Sequence, residues 1–390
     1  MSLERLAREW DVVVIGAGVA GSVSAYRLAC RGLSVLLVEK SLWPRDKPCG
    51  GCISAAALQA LDDAGLGEVG HAGPPFSRLR LASGRHQALV GLPSGRAISR
   101  RLLDARLAER AEAAGVTFLT MTHARLEPVG SDAQGRGGVR RIALRQADKR
   151  FTVAARLVIG GDGLGSRLLH EDDAAALRVA TNSRIGMGAT VDDAPGFYEQ
   201  GTIHMACGRH GYVGLVRVEE GRLNLGAALD PNWVKRSGGP LAAVTAILDE
   251  NAFPPIDALS AAQWQGTPHL TRRRSRLGAE RVLILGDAAG YVEPFTGEGM
   301  GWAVAGAAAI EPLALQAVQA WRGELVDEWT ARHAEVIRAR QRSCRVISAL
   351  LRRPWLVAAM LPLANAAPGM VAPFTSWLNR RYALDPREGR

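Results

Sequence analysis

The sequence predicts an α/β fold in which a doubly wound, mostly parallel sheet is interrupted by an antiparallel sheet and followed by a helical C-terminal tail. A β-α-β unit opens the chain, buried-strand runs return near residues 157 and 281, and short alternating segments fill the stretch between them. These observations predict a discontinuous first domain at 1–75, 97–170 and 275–325. They also predict an inserted sheet domain at 76–96 and 171–274 and a tail at 326–390.

The opening unit has four parts. Residues 11–15 are a largely β-branched run typical of a buried strand. A glycine turn follows at 16–21, residues 22–32 have helical spacing of apolar side chains, and residues 34–38 form a second buried run. Strand, helix and strand in this order predict a β-α-β unit.

The remaining elements follow from the same periodicities. Residues 42–56 have no regular period and are expected to form a loop. Helical spacing predicts helices at 100–115 and 302–321 and a mostly helical tail from 324 onward. Strand patterns predict strands at 116–120, 142–144, 151–153, 157–159, 185–191, 201–205, 212–218, 223–229 and 281–285, the second and third of them paired as a hairpin.

Composition narrows the class of protein. The 390 residues are 47% hydrophobic and 22% charged, which excludes a disordered chain or a fibre. The net charge of +10 comes from basic residues scattered without an aromatic stripe, so we expect no nucleic-acid partner. Five cysteines and the lack of a signal-peptide pattern predict a reduced, cytoplasmic protein. Three prolines interrupt the apolar stretch 355–374, so we do not expect it to span a membrane. Its apolar residues, together with those up to Trp377, are expected either to close the substrate cavity or to rest on a membrane surface.

The first candidate site is the turn Gly16-Ala17-Gly18-Val19-Ala20-Gly21 between the first strand and the first helix. Gly16 permits the tight turn, Gly18 lets the backbone approach a pyrophosphate at the helix N-terminus, and Gly21 permits close packing of helix and strand. Glu39 ends the second strand, where its carboxylate can accept hydrogen bonds from ribose hydroxyls. The pattern therefore predicts a dinucleotide site that includes Gly16, Ala17, Gly18, Ala20, Gly21, Glu39 and Lys40.

A second candidate site follows the predicted strand 281–285. Asp287 at the strand end can hold a ribityl hydroxyl, and the Gly-rich helix start at 296–301 can stabilise negative charge on a reduced flavin ring. A nicotinamide dinucleotide does not need this second site, whereas FAD does. The predicted contacts are Gly286, Asp287, Pro294, Gly297, Gly299 and Met300.

A third motif is Gly160-Gly161-Asp162-Gly163, which taken alone predicts a β-turn. Together with GAGVAG and GDAAGYVEPFTGEGMG, however, it resembles the FAD-dependent hydroxylases of the p-hydroxybenzoate hydroxylase type. The segment RDKPCGGCIS is similar to the loop of geranylgeranyl reductases that passes close to the flavin, and Arg100 with Asp104 matches the R-x-x-x-D helix opening of the family. The resemblance, over roughly residues 10–310, implies a Rossmann-like FAD-binding domain, non-covalent FAD, NAD(P)H as electron donor, and further FAD contacts at Arg45, Cys49, Gly50, Gly51, Arg100, Asp162 and Gly163.

The sequence also departs from the members of this family. Geranylgeranyl reductases carry a Y-x-W-x-F-P signature, and the matching stretch 212–217 keeps the Tyr but lacks the Trp, Phe and Pro. No Trp lies in the W-x-W-x-I-P pattern of flavin halogenases. Two reactions therefore compete. The lost signature favours hydroxylation of an apolar aromatic or polyketide-like molecule through a C4a-hydroperoxyflavin, which is the main prediction. The P-C-G-G loop favours the alternative, reduction of a prenyl double bond. A non-catalytic flavin redox module is the further alternative.

The candidate catalytic residues are His204, Tyr212 and Cys49. The first two lie on strands expected to face the substrate, where either could position or deprotonate a phenol. Cys49 and Cys52 form a CxxC that could be a redox dithiol or simple loop packing, and without a second such pair we expect no metal. We expect an apolar small-molecule substrate, because the inserted strands supply Ile185, Met187, Ile203, Met205, Val213, Leu215 and Leu225.

Overall fold

The computed structural model describes residues 6, 8–128, 138–170, 175–293, 295, 297–367 and 380–382. In chain order its strands are β1 (Glu9–Ile15), β2 (Val35–Val38), β3 (Cys52–Ile53), β4 (Pro75–Ser83), β5 (His86–Ala97), β6 (Thr117–Leu119), β7 (Thr122–Leu126), β8 (Arg140–Gln146), β9 (Lys149–Gly160), β10 (Leu177–Val179), β11 (Ile185–Val191), β12 (Thr202–Gly208), β13 (Gly211–Arg217), β14 (Leu223–Leu229), β15 (Gln265–His269), β16 (Arg272–Arg274), β17 (Gly278–Ala279), β18 (Val282–Ile284) and β19 (Gly290–Tyr291).

The helices, in the same order, are α1 (Val19–Cys30), α2 (Ala55–Asp63), α3 (Gly67–Gly70), α4 (Arg100–Ala113), α5 (Pro231–Arg236), α6 (Pro240–Glu250), α7 (Gly299–Gln319), α8 (Glu324–His333), α9 (Ala339–Leu351) and α10 (Pro354–Ala366). A π-helical segment, Ala334–Arg338, joins α8 to α9. Short 3-10 turns occur at Glu219–Gly221, Asp257–Ser260 and Gly286–Ala288.

The first sheet is mostly parallel. Among the described residues its strands lie in the order β17-β18-β9-β1-β2-β6, with β7 and β8 attached through β9. The central strand β1 pairs in parallel with β2 and β9. Residues 12–14 at its centre have no solvent exposure, which is the expected result for a strand covered on both faces.

The predicted strand 157–159 is not separate, because it is the end of the long strand β9 that begins in the predicted hairpin. Two helices also begin earlier than the periodicity indicated. Helix α1 begins at Val19 and α7 at Gly299, inside the glycine motifs themselves. The predicted loop 42–56 contains β3 and the first turn of α2, which Ser54 caps through its side chain.

The second sheet runs in the order β15-β11-β14-β13-β12-β4-β5-β3 among the described residues. Its pairs are antiparallel except for β12 and β4. One face packs against α6 and a core that contains Tyr198, Leu215 and Phe253. The opposite face lines a cavity. The predicted combination of a doubly wound sheet, an antiparallel sheet and a helical tail is thus confirmed.

The described part of the tail is helical through Ala366, and the expected membrane-contacting residues 368–374 lie outside the described residues. Helix α7 is long and apolar enough to cross a membrane. Residues 324–351 and 354–366, which are bent by 99° relative to one another, are also long and apolar enough if they are taken together as one broken span. Since 72% of the apolar stretch of α7 is buried inside the protein, it resembles the core helix of a soluble protein.

Candidate active site

A cavity of about 860 Å³ lies between the glycine turns of the first sheet and the open face of the second. Its size is within the range of cofactor and ligand sites in proteins. The predicted cofactor contacts that line it are Gly18, Ala20, Cys49, Gly50, Gly51, Arg100, Gly163, Gly286, Asp287, Gly297, Gly299 and Met300.

The first glycine turn leaves no room for side chains. A Cβ at Gly21 would lie 1.8 Å from the Gly16 carbonyl oxygen, and Gly16 itself has a φ of +100°. The N-terminus of α1, at Gly18 and Val19, consequently opens directly onto the cavity. Backbone N–H groups at such a terminus are suited to a phosphate.

Arg100 provides a fixed cation beside this turn. Its Nε and Nη2 donate to the two Asp104 carboxylate oxygens at 2.8 and 2.7 Å, and both side chains are buried. Burial acts to lower the pKa of Arg100, but the Asp104 carboxylate outweighs it, so the pKa rises above the ordinary value for arginine. Arg100 therefore remains charged and points one face at the cavity.

Other predicted contacts lie behind the cavity wall. Glu39 is buried and accepts hydrogen bonds from Ala17 N at 3.1 Å, Ser41 N at 3.0 Å and Arg45 Nη2 at 3.2 Å. Burial raises the pKa of Glu39, but the Arg45 cation and these donors lower it overall, so the carboxylate stays ionised. Lys40 is exposed. Glu39 thus anchors the turn from behind in this structure.

Asp162 also lies off the cavity lining, where burial raises the pKa of its carboxyl group. The second motif is placed as predicted, with Asp287 at the cavity and the N-terminus of α7 beside it. Pro294 lies outside the described residues. The sequence analysis missed Lys47, whose Nζ is 3.4 Å from Asp287 Oδ2 across the cavity. Nothing in the segment 45–48 indicates a partner for this lysine 240 residues further along the chain.

The loop that contains Pro48, Cys49 and Gly50 rests on a row of glycines. Gly188, Gly226 and Gly214 are direct cross-strand neighbours on β11, β14 and β13. A Cβ at Gly188 would lie 2.9 Å from Pro48 Cα, and one at Gly226 would lie 2.8 Å from Gly50 N. At Gly188 and Gly226 the loop backbone lies directly against the sheet backbone, which fixes its height above the sheet, whereas Gly214 faces Met205.

His204 and Tyr212 lie on opposite faces of the second sheet. Tyr212 lines the cavity, as expected. The expectation that His204 faces the substrate is wrong, because its ring packs among Phe197, Tyr198 and Phe253 on the core face. Burial, helped by the Arg80 cation, lowers the pKa of His204 to about 4, so its imidazole is neutral.

Tyr212 is a buried, protonated phenol at the cavity. Among the described residues its hydroxyl has no hydrogen-bond partner, while the Arg184 guanidinium lies 5.7 Å from its ring centre. Burial, together with the nearby Glu293 carboxylate, raises the pKa of Tyr212 well above 10. The group can donate a hydrogen bond but cannot act as a base near neutral pH.

The apolar wall of the cavity differs in part from the expected one. Ile203 and Met205 line it, whereas Val213, Leu215 and Leu225 point to the core face. Ile185 and Met187 share one face of β11 and pack against the same core, and Met187 also borders the cavity. The rest of the wall comes from β4 and β5, which lie in the predicted substrate domain, from α10, which lies in the apolar tail expected to close the cavity or contact a membrane, and from α9, which the sequence analysis did not assign to the site. These residues are Leu79, Leu81, Val90, Leu92, Ile347, Leu350, Leu351, Leu356, Val357, Met360, Leu361 and Leu363.

Cys49 and Cys52 both line the cavity and are free thiols. Burial, reinforced by Cys49, raises the pKa of the Cys52 thiol, which keeps it protonated. No group of three or more His, Cys, Asp or Glu side chains that could hold a metal occurs in the described part of the chain. The basic run Arg272–Arg274 is structural, since Arg272 and Arg274 donate to backbone carbonyls of neighbouring loops.

The residues present fit a flavin dinucleotide. Glycines form a cradle that any Cβ would fill, the N-termini of α1 and α7 open onto one cavity, and Arg100 and Lys47 supply cations. A doubly wound sheet with two such sites and a separate substrate face defines a dinucleotide-dependent flavoprotein oxidoreductase.

Comparison with known families gives the particular family. Residues 9–340 match the model described as FAD binding domain, and the chain belongs to this family. It is an FAD-dependent oxidoreductase with the fold of a soluble flavoprotein, and the resemblance stated from the motifs is confirmed.

Relatives of both reaction types are found. The chain is 28% identical to digeranylgeranylglycerophospholipid reductase 2 of Methanothermobacter thermautotrophicus, over 80% of each protein. A geranylgeranyl bacteriochlorophyll reductase-like structure from Thermoplasma acidophilum superposes with a TM-score of 0.72 and 17% identity, over 92% of each chain. The p-nitrophenol 4-monooxygenase PnpA from Pseudomonas putida gives 0.75 and 15%, over 96% of this chain and 99% of that one. These two structural likenesses establish the fold alone.

Proposed function

We propose that the protein reduces a carbon–carbon double bond in a long apolar chain of the isoprenoid type. The carrying observation is the shape and chemistry of the cavity: it begins at the Pro48–Gly51 loop and continues between β4, β5, α9 and α10 along an almost wholly apolar wall. Such a wall binds a substrate through buried apolar area rather than through charge. The sequence relationship to a prenyl-lipid reductase supports the same reaction.

FAD, when bound, supplies the hydride for this reaction. Gly18 at the start of α1 and the Arg100 cation would hold its pyrophosphate, and Asp287 with Lys47 would hold the ribityl region. The backbone of the N-terminus of α7 would face the ring system, where it favours negative charge. We propose that the cofactor is bound non-covalently and reduced by NAD(P)H.

The chain's own residues then orient the substrate and provide a proton. Helices α9 and α10 contribute apolar side chains to the cavity wall, which would leave little room for water beside a bound apolar chain. The cavity lining includes the phenols of Tyr212 and Tyr291 and the thiols of Cys49 and Cys52, each of which can carry a proton. We propose that one of them delivers the proton to the carbon that does not receive the hydride, which completes a net addition of H₂ across the double bond.

We further propose cytoplasmic location with peripheral contact to a membrane, where an apolar chain would be delivered. Exposed apolar side chains at the outer end of the cavity support this: Val346, Leu350, Trp355, Met360 and Leu363 are each between 46% and 67% exposed. Nucleic acid is not among the proposed partners.

A second candidate, hydroxylation of an apolar aromatic compound, is supported by Gly214. This residue occupies the cavity-facing position where the reductase signature has a tryptophan, and the space it leaves is shared with Met205. A wider cavity at this end would admit a ring system rather than a linear chain.

Anaerobic single turnover distinguishes the two reactions. The FAD-loaded protein is reduced under strict anaerobiosis and mixed with geranylgeraniol, and the return of oxidised-flavin absorbance is followed together with the mass of the product. The reductase predicts reoxidation without oxygen and a product two mass units heavier. No reoxidation by prenyl compounds, with oxygen-dependent hydroxylation of long-chain phenols instead, would overturn the first proposal in favour of the second.

A further inference from the structure

One face of α9 holds the loop that leads into α7. The contacting residues lie four apart in sequence, which places them in one row along a helix. Their contacts are Arg340 Nη1 to Glu298 Oε1 at 3.4 Å, Cys344 Sγ to Glu298 Oε2 at 3.0 Å, Ser348 Oγ to the Glu293 carbonyl oxygen at 3.2 Å, and Arg352 Nη2 to Glu293 Oε2 at 3.0 Å. We call residues 340, 344, 348 and 352 the clamp row.

The two acids held by the clamp row are buried at the ends of one loop. Glu293 has no exposed surface and Glu298 is 4% exposed. Glu293 also accepts from Arg184 Nη1 at 2.9 Å, so it lies between two cations. Buried carboxylates persist only when they are paired, and removal of one partner leaves an uncompensated charge. The arginines therefore determine whether this loop can occupy its observed position.

The clamped loop belongs to the flavin side of the cavity. Phe295, Gly297 and Glu298 line the cavity, and Gly297 with a φ of +71° turns the chain into the N-terminus of α7. The next row of α9, which contains Ser343 and Ile347, lines the substrate part of the same cavity. One rigid helix thus contacts the flavin loop and the substrate wall at once.

We propose that Arg340 and Arg352 are positioning residues that hold the flavin-contacting loop through Glu298 and Glu293. The proposal rests on the proposed function only in that the cavity binds FAD. It assigns to the tail a part in the cofactor site, although the tail lies outside the three glycine motifs.

The midpoint potential of the flavin depends on the charges near it, so it distinguishes an electrostatic role of these residues from a purely structural one. With FAD bound at saturation, Arg352→Gln lowers the charge of the Arg184–Glu293–Arg352 cluster from +1 to zero, which makes the reduced, anionic ring less favourable and lowers the midpoint potential. Glu293→Gln leaves two uncompensated cations and raises it. Arg340→Gln and Glu298→Gln repeat the comparison at the other end of the loop. Simple loosening of the fold would move both members of each pair in the same direction.

The test uses the full chain and matched controls on the same helix. Arg342 and Arg345 are exposed and lie outside the clamp row, so Arg342→Gln and Arg345→Gln remove the same charge elsewhere on α9. FAD affinity is measured by flavin fluorescence on titration of the apoprotein, and the potential by dye-linked reduction of the holoprotein.

We expect FAD binding to be at least tenfold weaker in Arg340→Gln and Arg352→Gln and to recover in Arg352→Lys. The midpoint potential should shift in opposite directions within each Glu/Arg pair. Both control variants should stay near the wild-type values. Equal effects in clamp-row and control variants, or shifts of one sign throughout, would overturn the proposal. Failure of prenyl compounds to react would contradict the proposed reaction but would leave these flavin measurements decisive for the clamp.

Discussion

The substitution Gly226→Ala tests whether the glycine row sets the position of the Pro48–Gly51 loop. The added Cβ would lie 2.8 Å from Gly50 N, 2.9 Å from Gly50 Cα and 3.0 Å from Cys49 C, all of them backbone atoms that cannot rotate away. To restore ordinary contact the loop must recede by about 0.6 Å. The 2.9 Å hydrogen bond from Asn224 Nδ2 to the Cys49 carbonyl oxygen would then stretch to about 3.5 Å and be lost.

The expected result is a loss of unfolding free energy of about 1–3 kcal/mol from overpacking and about tenfold slower flavin reduction, since a 1 Å misplacement near reacting groups can cost roughly 10²-fold. Urea unfolding of the apoprotein and stopped-flow reduction of the holoprotein by NAD(P)H measure the two effects. Gly91→Ala in the same sheet is the matched control, because a Cβ there meets nothing within 4 Å. Equal behaviour of Gly226→Ala and Gly91→Ala would refute the claim that the glycine row seats the loop.

Three further predictions follow from the site. Asp287→Ala should weaken FAD binding by about 1.5–3 kcal/mol and more than Asp162→Ala, because only Asp287 lines the cavity; equal FAD affinities on titration would contradict this ranking. His204 is neutral, with its pKa lowered to about 4, so the stability it contributes is present above pH 6.5 and lost as the pH falls toward 4. Between pH 7 and pH 5 the free energy of unfolding should therefore fall by about 2 kcal/mol more in wild type than in His204→Phe, measured by urea unfolding. Parallel pH profiles of the two proteins would contradict this. Gly214→Trp should reduce the stimulation of flavin reduction by naphthols at least about tenfold while that by linear prenyl alcohols is retained, since a Cβ there already lies 3.2 Å from Met205 Cε; unchanged naphthol stimulation would show that this position does not limit the cavity.

The parts of the fold that follow from local patterns could be predicted from the sequence. The β-α-β unit and the glycine turns depend on short-range periodicity and on glycine conformations, so their residues identify them without tertiary information. The same holds for the four strands β11 to β14: four of their eight bounds coincide with the predicted ones, three differ by one residue, and the end of β12 differs by three.

Strand faces and long-range contacts could not be predicted in this way. His204 and Tyr212 belong to neighbouring strands, and a shift of one residue exchanges the two faces of a strand. Nothing in the sequence fixes that parity. Lys47 meets Asp287, and Arg352 meets Glu293, only because the chain folds back over long distances. No sequence motif predicts either of these two ion pairs.

The clamp row has a consequence for the order in which the molecule is made. Its residues follow the first glycine turn by more than 300 positions, so the contacts that hold Glu293 and Glu298 can form only after α9 has been made. During synthesis the nascent chain can bury the β1–β2 core early, but the ribosome must pass residue 352 before the two carboxylates find their arginines. On the clamp proposal, chains truncated before residue 340 should bind FAD at least tenfold more weakly than the full chain, which would place cofactor uptake late in biosynthesis.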